Sequence, residues 1–290
     1  MPSRRTARDW AKPPAFPAPA VDVLLPTSGR IAELAVVLAG LAAQDDPAFR
    51  VTISDQSDDH AMADAPAVQA MIRVLEAQER EVRVLRHLPR LGIAEHRAFL
   101  LEQATAPYVL FLDDDVWPEP GLLATLHRAI EDLGCGVVGA AQQGLSYIGD
   151  ERPHEEAPFA AWEEEVEPER LRPDSPGTER WTLHNAANLT HIAARTDLPD
   201  AGWLPYRVAW TAGCVLYRRS ALLATGGFDF WRDLGPNVGG EDVVAQWRVM
   251  ERFGGAGVLP SGAVHLESPT TIPDRSVDAV HAVFEHDPVG

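Results

Sequence analysis

At 290 residues, with 46% hydrophobic and 23% charged side chains, the chain has the apolar material for one large α/β domain or two small ones. Its formal charge of -18 argues against nucleic acid or an anionic membrane surface as a partner. Lys12 is the only lysine, which removes a lysine Schiff base and a phosphate-loop lysine from the candidate chemistries.

The first twenty residues carry Arg4, Arg5 and Arg8, and a Pro/Ala-rich stretch from Pro13 to Ala20 follows with no apolar run. They read as a flexible leader rather than a signal peptide or a transmembrane anchor, so the expectation is a cytoplasmic protein. Cys135 and Cys214 lie far apart and outside any zinc spacing, which fits a reducing compartment.

Val21 to Leu25 is a short apolar run closed by Pro26-Thr27-Ser28-Gly29, the pattern of a buried strand leading into a loop. Ile31, Leu34, Leu38 and Leu41 recur at helical spacing, and Val51 to Ile53 predicts a second strand that ends in the polar loop Ser54 to Asp59. Strand, helix, strand is the start of a parallel sheet. Val68, Met71, Ile72 and Leu75 predict a helix, Val82 to Leu85 a strand and Ile93 to Ala104 a helix. Tyr108 to Leu112 then predicts a strand that runs straight into Asp113, Asp114 and Asp115. Three adjacent carboxylates are either an acidic turn capping the helix expected near Pro120 or the seat of a divalent cation, and both readings are open at this point. An open α/β sheet binds ligands beyond the carboxyl ends of its strands, which puts the Asp55 loop and the triplet on one edge.

A helix near Leu122 to Leu133 and a strand near Gly136 to Ala140 come next. Asp150 to Arg180 is rich in Glu and Pro and too poor in apolar residues for a core of its own; it reads as a solvated acidic loop or a mobile flap over the site. His184 and His191, seven apart, would share a helix face and suit polar contacts to a substrate better than a zinc site. Trp210 to Tyr217 predicts a strand, Arg218-Arg219-Ser220 opens a short helix, and Gly226-Gly227-Phe228-Asp229 marks a tight turn. Gly239-Gly240-Glu241-Asp242 leads into a helix through Val244, Trp247 and Met250. Val258 to Leu259 and Ala263 to Leu266 predict closing strands, with His265 among apolar neighbours.

In this order Leu25-Pro26-Thr27, the Asp55 loop, Gly92 with Arg97, the Asp113-Asp114-Asp115 triplet, the Gly226 to Asp229 turn, Glu241-Asp242 with Arg248, and His265 make a recognisable set. The set resembles family 2 glycosyltransferases of the GT-A fold and covers roughly residues 21 to 267. The resemblance implies a Rossmann-like central sheet, mixed but mostly parallel and flanked by helices, in a single main α/β domain with an acidic insertion. It divides the chain into a leader (1–20), a nucleotide-sugar-binding half (21–140), the insertion with an acceptor-side segment (141–208), a catalytic and acceptor half (209–270) and a tail (271–290).

The resemblance also implies roles. Asp113 and Asp115 would hold ribose and metal, with Asp115 coordinating Mg²⁺ or Mn²⁺ directly, Asp114 beside them in the donor site and His265 a further metal ligand. Pro26, Thr27 and Asp55 match the positions that hold the nucleobase, and Arg30 and Arg97 are candidate diphosphate contacts on their charge. Asp242 would be the base, with Glu241 orienting the acceptor or sharing that role. The expected activity is hexosyltransferase-like: inverting, metal-dependent transfer from a nucleotide-diphosphate sugar, UDP type by the resemblance, to a hydroxyl acceptor of unknown identity. A sugar nucleotidyltransferase and a non-catalytic nucleotide-sugar or glycan-binding protein are the alternatives. Ser54-Asp55-Gln56-Ser57 departs from the two adjacent acids and glycine of many members, and Ala98 from their asparagine, which leaves the donor base open.

Overall fold

A computed structural model of the chain describes residues 5–58, 61–271 and 274–285; Arg4 of the leader, Asp59 of the polar loop and parts of the tail lie outside them. The chain first builds β1 (Val21–Thr27), α1 (Ile31–Ala42), β2 (Phe49–Asp55), α2 (Pro66–Ala77) and β3 (Val82–Arg86). It continues with α3 (Ile93–Glu102), β4 (Tyr108–Leu112), β5 (Val116–Pro118), α4 (Leu122–Asp132) and β6 (Val137–Gly139). After a long, mostly irregular stretch with one helix of two turns, α5 (Asn188–Ala194), come β7 (Leu204–Tyr206), β8 (Cys214–Arg218), α6 (Arg219–Ala224) and β9 (Val238–Gly239). The last elements are α7 (Glu241–Phe253), β10 (Gly255–Leu259), β11 (Ala263–His265), β12 (Val277–Asp278) and α8 (Ala279–Phe284).

Eight strands form one sheet in the order β3-β2-β1-β4-β8-β6-β10-β7. β1 is parallel to β2 and β4, β2 to β3, and β6 to β10, whereas β8 runs antiparallel between β4 and β6 and β7 antiparallel at the edge. All residues of β1, β2 and β4 are buried, as expected of strands covered on both faces. Leu34, Leu38, Val68 and Leu126 from α1, α2 and α4 pack one face, and Leu100, Leu222, Trp247 and Phe284 from α3, α6, α7 and α8 pack the other. The chain winds outward from β1 to β3 and then returns to place β4 on the other side of β1. That reversal opens a crevice between the carboxyl ends of β1 and β4, where Thr27 and Asp113 stand.

Two small ribbons complete the crevice. β11 pairs with β5 and sets His265 opposite Val116, next to Asp115. β12 pairs with β9 and brings residue 278 back beside Gly239, next to the start of α7. The Gly226 to Asp229 turn is tied to α7 by Arg248, whose Nη1 lies 3.0 Å from Asp229 Oδ1.

The structure departs from the sequence reading in four places. Strand β8 starts at Cys214 rather than Trp210, because the backbone of Thr211 is taken by the Gln246 side chain, which both donates to it and accepts from it. Strand β10 starts at Gly255, three residues early; its glycines hide a strand in which Gly257 leaves room for the Tyr206 ring, 2.2 Å from where a Cβ would stand. The acidic stretch is no flap over the crevice: Leu171 is fully buried, Arg172 pairs with Glu251, and Glu169 N bonds to Met250 O at the far end of α7. Its few apolar side chains find an existing core, and its arginines find carboxylates. His184 and His191 fall on separate helical turns, so they share no face; His184 Nε2 meets Tyr206 Oη at 3.1 Å and His191 Nε2 meets the Ile148 carbonyl at 2.9 Å.

At the opposite end of the sheet Asp22, fully buried, accepts from Thr105 N and Ala106 N and pairs with Arg50 Nη2 at 2.6 Å on the neighbouring strand. Removing one partner of a buried pair leaves the other charge uncompensated. Asp22→Ala is expected to lower stability by about 3–5 kcal/mol in urea denaturation, and Asp22→Asn, which keeps an acceptor for the amides, by less.

Candidate active site

The crevice is a cleft of about 760 Å³ at the carboxyl ends of β1, β2 and β4, bounded by the N-terminal turns of α3 and α7, by His265 and by Ser268, Thr270, Thr271, Asp274 and Arg275. The acid triplet lines it, and its three carboxylates differ in partners and exposure, although Asp114 and Asp115 share Arg30. Asp114 turns inward, 6% exposed, and accepts from Thr27 Oγ1 at 2.7 Å and from Arg30 Nη1 at 2.9 Å. Burial pushes it up to about 6 against the pull of Thr27 and Arg30. Asp114 thereby ties the end of β4 to the end of β1 across the crevice.

Asp115 lies 2.6 Å from Arg30 Nη1 and 3.4 Å from His265 Nε2, both through Oδ2. Burial would raise this carboxyl, but His265 and Arg30 outweigh it and hold Asp115 below the usual carboxylate range. The same contact, opposed by burial, raises His265 toward its cationic form. Asp113 is the open member: one oxygen accepts from Arg97 Nη2 at 2.9 Å, and its side chain remains 30% exposed to the cleft.

Arg97, 8% exposed, stacks over the Phe111 ring at 5.5 Å and bridges two acids from distant parts of the chain. It holds Asp113 with one terminal nitrogen and Glu241 Oε1 with Nε at 3.0 Å. Burial disfavours its charge, yet Asp113, Glu241 and Asp242 together raise its pKa. Glu241 and Asp242 begin α7 after Gly240, which has φ +81°. Asp242 lines the cleft, where its Oδ1 accepts from Val243 N at 3.0 Å. Burial, then Glu241, push it up to about 7 against Arg97.

Of the expected site residues, Pro26, Thr27, Arg30, Arg97, the triplet, Glu241, Asp242 and His265 all line this one cleft. Asp55 is not among its lining residues. It is 3% exposed and turned inward, where Oδ1 accepts from Ser57 N at 2.7 Å and Oδ2 lies 3.7 Å from Arg86 Nη1. The acid holds the loop in shape, and Gln56 lines the cleft instead. Arg97 is spent on two carboxylates rather than left free for a diphosphate.

The lining residues that escaped the sequence reading include His96, Gln142 and Trp210. Burial pushes His96 down to about 3, so it is a neutral ring bonded to Ser54 Oγ at 2.7 Å. Gln142 lies over Gly213, where a Cβ would meet its Oε1 at 2.2 Å. The Gly213 in Thr211-Ala212-Gly213-Cys214 was the available signal, since a glycine at a strand entry marks a close approach.

Among the described residues, no group of three or more His, Cys, Asp or Glu side chains is gathered as a metal site. Asp115 and His265 nevertheless suit a shared cation: their facing atoms are 3.4 Å apart, a spacing that two donors each about 2.1 Å from one ion can span. Mg²⁺ commonly takes one or two protein carboxylates and fills its shell from phosphates and water, so a full protein cage is not required.

The sequence model described as glycosyl transferase family 2 matches residues 22–194, more than half of the chain. Among solved structures, the mannosyltransferase PcManGT from Pyrobaculum calidifontis in complex with GDP-Man and Mn²⁺ is similar at 17% identity and a TM-score of 0.55, over 91% of this chain and 63% of that one. TarS 1–349 of S. aureus in complex with UDP-GlcNAc is similar at 16% identity and 0.55, over 87% and 60%. The likeness is one of fold, and the chain spans about three fifths of these two proteins. No curated protein matches.

Gly213 has φ +78° and its carbonyl accepts from Asp113 N at 2.8 Å, so it positions the triplet as well as Gln142. Gly213→Ala is expected to cost about 1–3 kcal/mol of stability in denaturant unfolding and to weaken any ligand held by Asp113 in calorimetric titration.

Proposed function

The chain belongs to glycosyl transferase family 2, and on that premise we propose that it moves a sugar from a nucleotide-diphosphate donor to a hydroxyl acceptor by a metal-assisted, inverting displacement. The observation that carries this reading is that two acid groups line one cleft: Asp115 beside His265, and Asp242 beside Glu241. One group suits a diphosphate and its cation, and the other suits an acceptor hydroxyl.

Residues 21–140 contribute the donor wall, with Pro26, Thr27 and Gln56 at the nucleobase end and Asp113 toward the ribose. A UDP-linked hexose is the first donor to test and a GDP-linked one the second. Mg²⁺ or Mn²⁺, held by Asp115 and His265, would supply Lewis-acid stabilisation of the departing diphosphate. Residues 209–270 contribute the acceptor wall. Asp242 accepts the hydroxyl proton as the acceptor attacks, and Glu241, held by Arg97, orients the acceptor next to it. Attack from the face opposite the leaving group inverts the anomeric centre. The half-buried position of Asp242 beside Glu241 suits it to this work, because a base functions best when its pKa lies near the working pH.

Asp242→Asn is expected to lower kcat by about 10²–10⁴-fold while nucleotide binding stays within a few-fold of wild type. Retained transfer would remove Asp242 from the role of base. The pH profile has a definite sign: Asp242 accepts a proton only when ionised, so kcat/KM should rise with pH through a value near 7 and level off above it. A rate that is flat from pH 5 to 8 would show that this carboxylate is not the titrating base.

A further inference from the structure

Building on the donor and cation reading, the decisive detail is that the carboxylate oxygen best placed for a cation is already held. Arg30 Nη1 lies 2.6 Å from Asp115 Oδ2, the oxygen that also faces His265 Nε2 at 3.4 Å. The same guanidinium nitrogen reaches Asp114 Oδ1 at 2.9 Å, and the other terminal nitrogen donates to the backbone carbonyl of Pro269. Arg30 is thus the counter-charge of two acids and also the fastening of the stretch that follows β11. A second tie on that stretch, Ser268 Oγ to Glu33 Oε1 at 2.8 Å, lies one turn along α1. Ser268, Thr270 and Thr271 form part of the cleft wall.

A guanidinium and a divalent cation that meet on one carboxylate oxygen repel each other, so each weakens the other's hold there. Asp114 has an independent hold through Thr27, so it stays in place when the competition is decided and serves as the pivot. An arginine pushed off Asp115 retains Asp114 and needs new acceptors for its remaining donors, and phosphate oxygens match the fork of a guanidinium well. We propose that Arg30 and the divalent cation compete for Asp115 Oδ2, so that arrival of the cation passes Arg30 from Asp115 to the donor's diphosphate and releases the stretch around Pro269. Cation and nucleotide then bind in concert: each is weak alone, because the cation must displace an ion pair and the diphosphate finds its arginine occupied. The cleft wall from residue 266 to 271 loosens as the exchange occurs, and entry of the donor is coupled to it.

The test is a Mn²⁺ titration, read by the electron paramagnetic resonance of the free ion, on the full chain as wild type, Arg30→Met and Arg30→Lys. Each is measured alone and with UDP or GDP, and hydrogen exchange is followed at residues 266–271. Without nucleotide, Arg30→Met should bind Mn²⁺ about ten-fold or more tightly than wild type, since a charged hydrogen bond no longer has to be displaced. The strengthening of Mn²⁺ binding by nucleotide should be large in wild type and small in Arg30→Met. Exchange at 266–271 should be fast in Arg30→Met from the start and should quicken in wild type only with Mn²⁺. If Arg30→Met does not melt cooperatively, Arg30→Lys decides, because its single ammonium should give an intermediate gain. Equal Mn²⁺ affinity in wild type and variants overturns the exchange and leaves the metal-assisted reading standing. Nucleotide binding with no Mn²⁺ binding in any protein overturns both.

Discussion

Five carboxylates meet at one end of this sheet, and two guanidiniums that stand among them allow the chain to fold with them there. Asp113, Asp114, Asp115, Glu241 and Asp242 would repel one another across a small, partly dry space. Arg30 spans Asp114 and Asp115, and Arg97 spans Asp113 and Glu241. Both arginines come from the first α/β units and reach carboxylates later in the chain. The cleft is therefore closed by charge pairs between segments, and its geometry depends on the whole domain being assembled.

Competing effects of different size decide the state of each acid. Glu241 and Asp242 sit in the first turn of α7, where the helix dipole favours a negative charge by about 0.3–1 kcal/mol. Asp242 is raised all the same, because burial and the neighbouring Glu241 act against ionisation more strongly than the dipole and Arg97 act for it. Asp115 is the opposite case: it is buried too, yet two cationic partners within hydrogen-bonding range leave it ionised. Three consecutive residues and one helix start thus provide a structural tie, a carboxylate held ionised and a group poised near neutrality. The environment of each, set by which strand end or helix turn carries it, makes the difference.

The fold was largely legible in the sequence, because strands covered on both faces appear as mostly apolar runs. Val21 to Leu25, apolar but for Asp22, and Tyr108 to Leu112 are such runs, and the latter matches β4 to the residue. Glycine-rich β10 was less legible, since its space is filled by Tyr206, a neighbour about fifty positions earlier. The site was legible as a set of residues and opaque as a set of contacts. Nothing near Asp55 shows that it will cap its own loop, and nothing near Arg97 shows that its partner lies 144 positions away. Gln142 and Trp210 belong to no catalytic motif; Gln142 follows β6 and Trp210 precedes β8, strands that are adjacent in the sheet, and both line the cleft.

A last consequence concerns charge on two scales. A protein with a formal charge of -18 repels an anionic donor at long range, although salt screens that field beyond about 10 Å. Inside the cleft the local balance governs. Among the described residues, its lining holds six carboxylates and four guanidiniums, an excess of two negative charges before any proton on Asp242 or His265 is counted. The two arginines nearest the acids are already engaged with them, so a diphosphate entering this space adds to the excess unless positive charge comes with it. A divalent cation would supply that amount, and Asp115, held ionised, stands beside a His265 raised toward its cationic form. Under the proposed exchange, displacement of charge already in place, rather than filling of an empty seat, is the step on which donor binding turns.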